Sequence, residues 1–337
     1  MKFNLTDKLL RHVDKQRKVY PQHVNRISSI GFPCLRACVY MITNWHDKEL
    51  PTRELQLIFN EGRHQEKAVK QDFEDAGIKV IRQEESVWFE AERLSGHADG
   101  VIIYGRAQIG LEIKSMSTHI FNKINSAEDL INSEYGYHQC YVPQIQLYMC
   151  GQGLKNGIIF IKDKNSGAFK ELPIVSNKDW QSFYFAKCLS INIRVDKIKS
   201  VLKETYQIKE LADFSKRKDF NDYLEIRNEA YKLIEEYLPE RIKEDNICKE
   251  CPFNRICLPD EVRQERIAVW INEELEELLS KREILKENRA EYERIDSEVK
   301  EKIKDSGRDF LIIGAFEVKV SRGKTTRIDI KRQAVAE

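Results

Sequence analysis

The chain has 337 residues, a third of them charged, yet 56 basic and 55 acidic side chains leave a formal net charge of only +1. That length buries a full core and suits one large domain with an appendage. The charge balance excludes a globally basic surface, so any track for a polyanion must be a local patch. No apolar run approaches a membrane span, and the amino terminus, Met1-Lys2-Phe3-Asn4-Leu5-Thr6-Asp7-Lys8, is too charged for a signal peptide. The expected setting is the cytoplasm, where thiols stay reduced.

In chain order, apolar periodicity predicts helices over 4–18, 33–46, 51–59 and 62–76, followed by strands near 79–82 and 86–92. The third and fourth helices flank Glu61-Gly62-Arg63, and His64 sits beside the apolar face of Ala68, Phe73 and Ala76. Next, Gly96-His97-Ala98-Asp99-Gly100 leads into Val101-Ile102-Ile103-Tyr104. A turn at Gly105-Arg106 follows, and Ile109-Gly110-Leu111-Glu112-Ile113-Lys114 returns as the second strand of a β-hairpin. Side chains alternate along a strand, so Glu112 and Lys114 share one side while Leu111 and Ile113 point to the other, towards a core. Carboxylates on neighbouring strands are hard oxygen ligands suited to Mg²⁺ or Mn²⁺, and Lys114 is placed to orient or deprotonate a water. The same residues also read as solvated cross-strand charges.

Further along, Tyr141-Val142-Pro143-Gln144-Ile145-Gln146-Leu147-Tyr148 reads as part of a helix over 138–151 with proline near its first turn. Gln144 and Tyr148 then fall on one face. Gly157-Ile158-Ile159-Phe160-Ile161 and Phe169-Lys170-Glu171-Leu172-Pro173-Ile174 read as a strand pair around an Asn-Ser-Gly turn, and helices follow near 195–205 and 220–237.

Those helices lead to Cys248-x2-Cys251-x5-Cys257, three of the eight cysteines. Such a loop of thiolates needs a fourth ligand, for which Cys34 in Phe32-Pro33-Cys34-Leu35-Arg36 is the candidate and Cys38 the substitute. Zinc and an iron-sulfur cluster both take this donor set, and a disulfide pair is the remaining alternative. Cys140, Cys150 and Cys188 read as buried small hydrophobes.

From Glu261 to about Asp305 the chain is dense in Glu, Lys and Arg with spaced apolar residues, which predicts a long helix or helical hairpin. Arg282 and Arg289 break the heptad, so an arm packed on the body of the molecule is expected instead of a coiled coil. Phe310 to Val320 and Thr325 to Ile330 form a β-hairpin around Ser321-Arg322-Gly323-Lys324. Gly323-Lys324-Thr325-Thr326 mimics a P-loop but lacks the earlier glycine, having Val318 there. Lys319, Arg322, Lys324 and Arg327 read as a solvated basic face or a contact to a nucleic-acid backbone.

Taken in order, His64, Gly96 to Asp99, Glu112 to Lys114 and Gln144 to Tyr148 resemble the motifs of the RecB-type branch of the PD-(D/E)XK nuclease superfamily. The cysteine layout is similar to that of the CRISPR-associated RecB-like exonucleases and the AddB nuclease domain. The resemblance implies an α/β fold, a restriction-endonuclease-like mixed sheet flanked by helices, over residues 1–260. Residues 261–337 would add a helical arm and a C-terminal β-hairpin. It implies that His64, Asp99, Glu112 and the carbonyl of Ile113 hold Mg²⁺ or Mn²⁺, with His97 the rival for the histidine role. Lys114 would be the catalytic lysine, and Gln144 and Tyr148 would steady the site and the DNA strand. Cys34, Cys248, Cys251 and Cys257 would enclose a [4Fe-4S] cluster, with zinc as the alternative.

The implied activity is a metal-dependent DNA exonuclease acting on single-stranded ends, in repair, recombination, or CRISPR or phage DNA processing. No helicase motor is visible in the sequence, so the protein would stand alone or borrow one from a helicase, recombination or CRISPR partner. The competing expectations are a structure-specific endonuclease and a non-catalytic module that binds DNA ends.

Overall fold

The computed structural model describes residues 4–216, 220–242, 245–258, 268–269, 273–284, 289–313, 316–321 and 326–332. The chain divides into two units, Met1–Asn254 and Arg255–Glu337. In the first, the elements are α1 (Leu5–Gln16), β1 (Asn25–Arg26), α2 (Leu35–Thr43), α3 (Arg53–Asp75), β2 (Val80–Ile81), β3 (Glu85–Phe89), β4 (Leu94–Ala98), β5 (Gly100–Tyr104) and β6 (Ala107–Met116). There follow α4 (Thr118–Lys123), α5 (Ala127–Ile131), α6 (Tyr141–Gln152), β7 (Asn156–Asp163), β8 (Phe169–Val175), α7 (Lys178–Tyr206), α8 (Phe220–Ile234) and α9 (Asp245–Glu250). The division falls inside α10 (Asn254–Cys257).

The central sheet has the order β2-β5-β6-β7-β8, in which β6 and β7 run parallel and every other pair is antiparallel. A small second sheet has the order β1-β4-β3. Parallel neighbours need a crossover, and the helices between β6 and β7 supply it. Val69 and Phe73 of α3 pack on Ile102, Leu111, Ile113 and Phe160 on one face of the central sheet. Ile145 and Met149 of α6 pack on Val101, Met116, Ile159 and Ile161 on the other. Each fully buried side chain of this size contributes about 1.5–3 kcal/mol. The result is the mixed α/β architecture, sheets flanked by helices, that the resemblance implied. Because both faces are covered, a charge on β6 is a buried charge and not a solvated one.

Two helix expectations change. The helices expected over 51–59 and 62–76 are one helix, α3, whose N-terminus is capped by the Thr52 hydroxyl accepting the Leu55 N–H. Gly62 costs a helix interior about 1 kcal/mol, which the burial of Val69 and Phe73 offsets. The helix expected over 195–205 is the tail of the 29-residue α7. Its first half escapes a periodicity reading because Phe183, Leu189 and Ile193 are exposed and blur the apolar face.

The second unit contains β9 (Ala268–Val269), α11 (Glu273–Ile284), α12 (Arg289–Asp305), β10 (Phe310–Ile313), β11 (Phe316–Ser321) and β12 (Arg327–Arg332). Its sheet has the order β12-β11-β10-β9. Leu275, Leu279, Ile295, Val299 and Ile303 of the helical pair pack with Leu311, Ile313, Phe316, Val318 and Val320. The helical pair thus covers a sheet of its own unit. Buried Arg282 joins the two helices, donating to Asp296 Oδ1 and to the Tyr292 hydroxyl, both at 2.8 Å. The run from Phe310 to Val320 is two antiparallel strands, not one. Residues 261–267 of the expected arm, and Arg322, Gly323, Lys324 and Thr325 of the expected basic turn, lie outside the described residues. Among the described residues, no helix is long and apolar enough to cross a membrane.

Candidate active site

Asp99 sits where the chain leaves β4 of the small sheet and enters β5 of the central one. The join is tight: a Cβ at Gly100 would fall 2.6 Å from Val80 Cγ1. Strand β5 pairs with β6 only as far as Gly100 opposite Leu111, so this edge of β6 opens immediately beyond. Asp99 occupies the next rung, its Oδ2 accepting the Ile113 N–H at 2.7 Å. A strand residue's N–H and C=O face the same edge, so the Ile113 carbonyl is directed towards this carboxylate as well.

Glu112, only 1% exposed, lies on the other face of β6. Its Oε1 is 2.5 Å from Lys114 Nζ, while its Oε2 is buried with no hydrogen-bond partner among the described residues. Burial, and then the charge of Asp99, push the Glu112 carboxyl up to about 8. Burial likewise raises Asp99, against the pull of Lys114. For Lys114 burial opposes the charge, but Glu112, Tyr141 and Asp99 outweigh it and hold the ammonium above the ordinary lysine range. The ammonium lies 4.6 Å from the centre of the Tyr141 ring.

From α3, Glu66 and Lys70 reach the same place one turn apart. Lys70 Nζ donates to Glu66 Oε1 at 2.7 Å and to Glu84 Oε1, on the turn before β3, at 3.0 Å. Carboxylate oxygens of Glu66, Glu84 and Asp99 lie within 4.8 Å of one another. From α6, buried Gln144 hydrogen-bonds Tyr148. The Tyr148 hydroxyl presses on β4 so closely that a Cβ at Gly96 would lie 2.6 Å from it. Glycine at the head of Gly-x-x-Asp is therefore what lets α6 approach.

The structure thus brings together Asp99, Glu112, Ile113, Lys114, Gln144 and Tyr148. Neither histidine belongs to the group formed by Glu66, Glu84 and Asp99. His64 is exposed on α3, and His97 is exposed on β4. Glu66, missed in the sequence, has a carboxylate oxygen within 4.8 Å of one of Asp99. Its signal was readable, because it lies seven residues before Phe73 and hence on the buried stripe of α3, where an unexplained acid is conspicuous.

Within the first unit, Cys34 caps α2, its Sγ accepting the Ala37 N–H at 3.4 Å. Phe32 and Ile247 meet at Gly136, where a Cβ would lie 2.7 Å from Phe32 Cε2 and 3.3 Å from Ile247 Cδ1. The Pro252 carbonyl accepts the Glu49 N–H at 2.9 Å, and the Tyr40 and Phe253 rings are 5.6 Å apart. The turn holding Cys34 and the helix after it are thereby packed along the segment holding Cys248 and Cys251. Cys251 N–H donates to the Cys248 carbonyl at 3.3 Å. Cys257 belongs to the second unit. Cys38, Cys140 and Cys188 are buried, whereas Cys150 is only half-buried.

Fold and site together define a mixed α/β protein with a carboxylate and lysine centre at the end of its main sheet. No protein-family model matches the chain, and no curated protein matches it. Among solved structures the chain is similar to LHK-Exo in complex with dAMP, at 13% identity and a TM-score of 0.37, over 54% of this chain and 92% of that one. It is similar to the alkaline exonuclease LHK-Exo from Laribacter hongkongensis at 14% identity and a TM-score of 0.33, over 43% and 72%. A third likeness is to SSO0001, at 13% identity and a TM-score of 0.37, over 76% and 98%.

Proposed function

We propose that the chain is a metal-dependent DNA exonuclease acting on single-stranded ends. The observation that carries this reading is Glu112 Oε2, a carboxylate oxygen buried beside Asp99 without a hydrogen-bond partner among the described residues. A buried, unsatisfied acceptor is costly unless a cation completes it. The oxygen donors of Glu66, Asp99 and Glu112, with the carbonyl of Ile113, suit Mg²⁺ or Mn²⁺. Glu66 takes the role that the sequence alone gave to His64. When bound, the ion would neutralise a scissile phosphate and lower the pKa of a water.

The remaining work falls to side chains. Lys114, held as an ammonium by Glu112, Tyr141 and Asp99, donates to a phosphate oxygen or orients the attacking water. Tyr141 covers that ammonium, and Gln144 fixes Tyr148 against β4. Cys34, Cys248, Cys251 and Cys257 hold a [4Fe-4S] cluster in this reading, with zinc as the alternative. The shared approach of Phe32 and Ile247 to Gly136 supports pairing Cys34 with Cys248. Cys257 is included on the C-x2-C-x5-C spacing alone. Such a cluster closes a very long loop and so limits the freedom of the unfolded chain. Single-stranded ends arise in repair, recombination, and CRISPR or phage DNA processing.

The test is cleavage of end-labelled linear single-stranded DNA in Mn²⁺ with an EDTA control, on anaerobically purified protein whose absorbance is recorded on the same sample. Metal-dependent release of label is expected, with circular single strands left intact. Inactive protein that binds no divalent ion would overturn the reading, and cut circles would replace exonuclease by endonuclease.

A further inference from the structure

Besides Lys114, a second ammonium is held against the carboxylates of the centre. Lys70 Nζ donates to Glu66 Oε1 at 2.7 Å and to Glu84 Oε1 at 3.0 Å, and the lysine side chain is only 16% exposed. An ordinary Glu-Lys pair one helical turn apart lies on a solvated face and draws in nothing else. Here Glu84 arrives from the turn before β3, in which Arg82 and Glu84 both take left-handed backbone, at φ 53° and 54°. Residues with side chains adopt that conformation at a cost, which their contacts must offset. Arg82 is held by Glu85 at 2.8 Å and Glu84 by Lys70. Carboxylate oxygens of Glu66, Glu84 and Asp99 lie within 4.8 Å of one another, and like charges so close repel unless a cation stands among them.

Resting on the nuclease reading, we infer that the Lys70 ammonium takes the place of a second divalent ion among Glu66, Glu84 and Asp99, so that the centre binds one Mg²⁺ or Mn²⁺ and not two. The charges agree. Glu66, Glu84, Asp99 and Glu112 bring four negative charges, Lys70 and Lys114 return two, and one divalent ion closes the balance. A donor left open for that ion is Glu112 Oε2, buried and without a hydrogen-bond partner among the described residues. On the α3 side, Glu66 Oε1 and Glu84 Oε1 already accept from Lys70, which leaves Glu66 its second oxygen for the same ion. Lys70 is a positioning residue: it sets how many ions the centre takes. Glu84 serves by holding Lys70 and becomes a ligand only when that ammonium is removed.

The experiment counts bound Mn²⁺ by equilibrium dialysis, with the free ion read from its electron paramagnetic resonance signal. The full chain is used as wild type, Lys70→Met, Lys70→Arg, and Lys70→Met combined with Glu84→Gln. Urea unfolding and DNA cleavage are measured on the same samples. Wild type should bind one ion per chain. Lys70→Met should bind a second, and Mn²⁺ should raise its urea midpoint more than that of wild type, since the ion then holds the carboxylates together. Lys70→Arg keeps the charge and should stay at one ion, as should the double variant, which lacks the carboxylate of Glu84. If Lys70→Met does not fold, Lys70→Gln carries the same expectation. A second ion in wild type, or a single ion at wild-type affinity in Lys70→Met, overturns the role of Lys70 and leaves the nuclease reading standing wherever cleavage needs the ion. One ion in wild type and two in Lys70→Met, with no cleavage by either, supports Lys70 and overturns the nuclease reading. No ion in either protein overturns both.

Discussion

Asp99 Oδ2 accepts the backbone N–H of Ile113 at 2.7 Å, and Ile113 is the residue between Glu112 and Lys114. One hydrogen bond therefore fixes Asp99 beside Glu112 and Lys114, which follow it in the chain by thirteen and fifteen residues. The bond forms because β5 stops pairing with β6 at Gly100, leaving the Ile113 amide without a strand partner on that edge. A carboxylate that accepts this amide is held in place, with carboxylate oxygens of Glu66 and Glu84 within 4.8 Å of it.

That geometry separates two candidate ligands on α3. Glu66→Gln should lower Mn²⁺-dependent cleavage on the order of a hundredfold, with affinity for the ion falling in parallel, while His64→Ala changes little. Titration of Mn²⁺ against cleavage rate checks both, and the reverse ranking would return the role to His64.

Lys114→Ala should lose cleavage by about 10² to 10³, the usual effect of removing a donor that meets developing negative charge. It should also destabilise the fold by about 3 kcal/mol, because Glu112 is left buried without its ammonium. Urea unfolding distinguishes the two effects. Replacing both members, Glu112→Leu with Lys114→Met, should recover stability but not activity.

Gly96→Ala sets a new methyl against the Tyr148 hydroxyl at 2.6 Å and Ile27 Cβ at 2.9 Å. Overpacking of this kind costs about 1–3 kcal/mol. Tyr148→Phe removes the nearer obstacle and should recover part of the loss, giving a coupling between the two sites in a double-mutant cycle read by urea unfolding. Additive effects would mean that Gly96 does not serve the approach of α6.

Burial depresses His138 from 6.5 to about 4. As pH falls, the unfolded chain takes up this proton first, so the stability contributed by the neutral ring is complete above about pH 6.5. It decreases through the window down to about 4, by at most ~1.4 kcal/mol per pH unit. His138→Gln should flatten that part of the profile, as measured by urea midpoints at about pH 7 and about pH 5. An unchanged slope would assign the acid sensitivity to other groups.

The hairpin, the Gly-x-x-Asp turn and the face shared by Gln144 and Tyr148 were legible because each follows from a period of two or from helix spacing. Glu66 was legible too, on the same stripe as Val69 and Phe73, but went unread because a histidine two residues earlier offered a more familiar ligand. The burial of Glu112 was hidden. Alternation along β6 shows which side Glu112 faces, but not that α6 covers that side. Likewise, the sheet beneath α11 and α12 could not be read from the helices alone, since their pairing with Leu311 and Val318 is a long-range event.

The cysteine loop yields the last expectation. Cys34 caps α2 and Cys251 follows Cys248 by one backbone turn, whereas the Cys38 Sγ is directed at the Phe32 carbonyl at 3.8 Å. Burial raises the Cys38 thiol, which suits a protonated packing residue. Anaerobically purified wild-type protein should therefore absorb broadly in the visible, and Cys251→Ala should be pale and less soluble because the loop closure is lost. Cys38→Ala should keep its colour and lose only stability, by removal of a small buried group. The comparison is made on absorbance and iron content per chain. A brown, stable Cys251→Ala protein would remove that cysteine from the cluster, and a colourless wild type carrying one zinc per chain would replace the cluster with a structural zinc site.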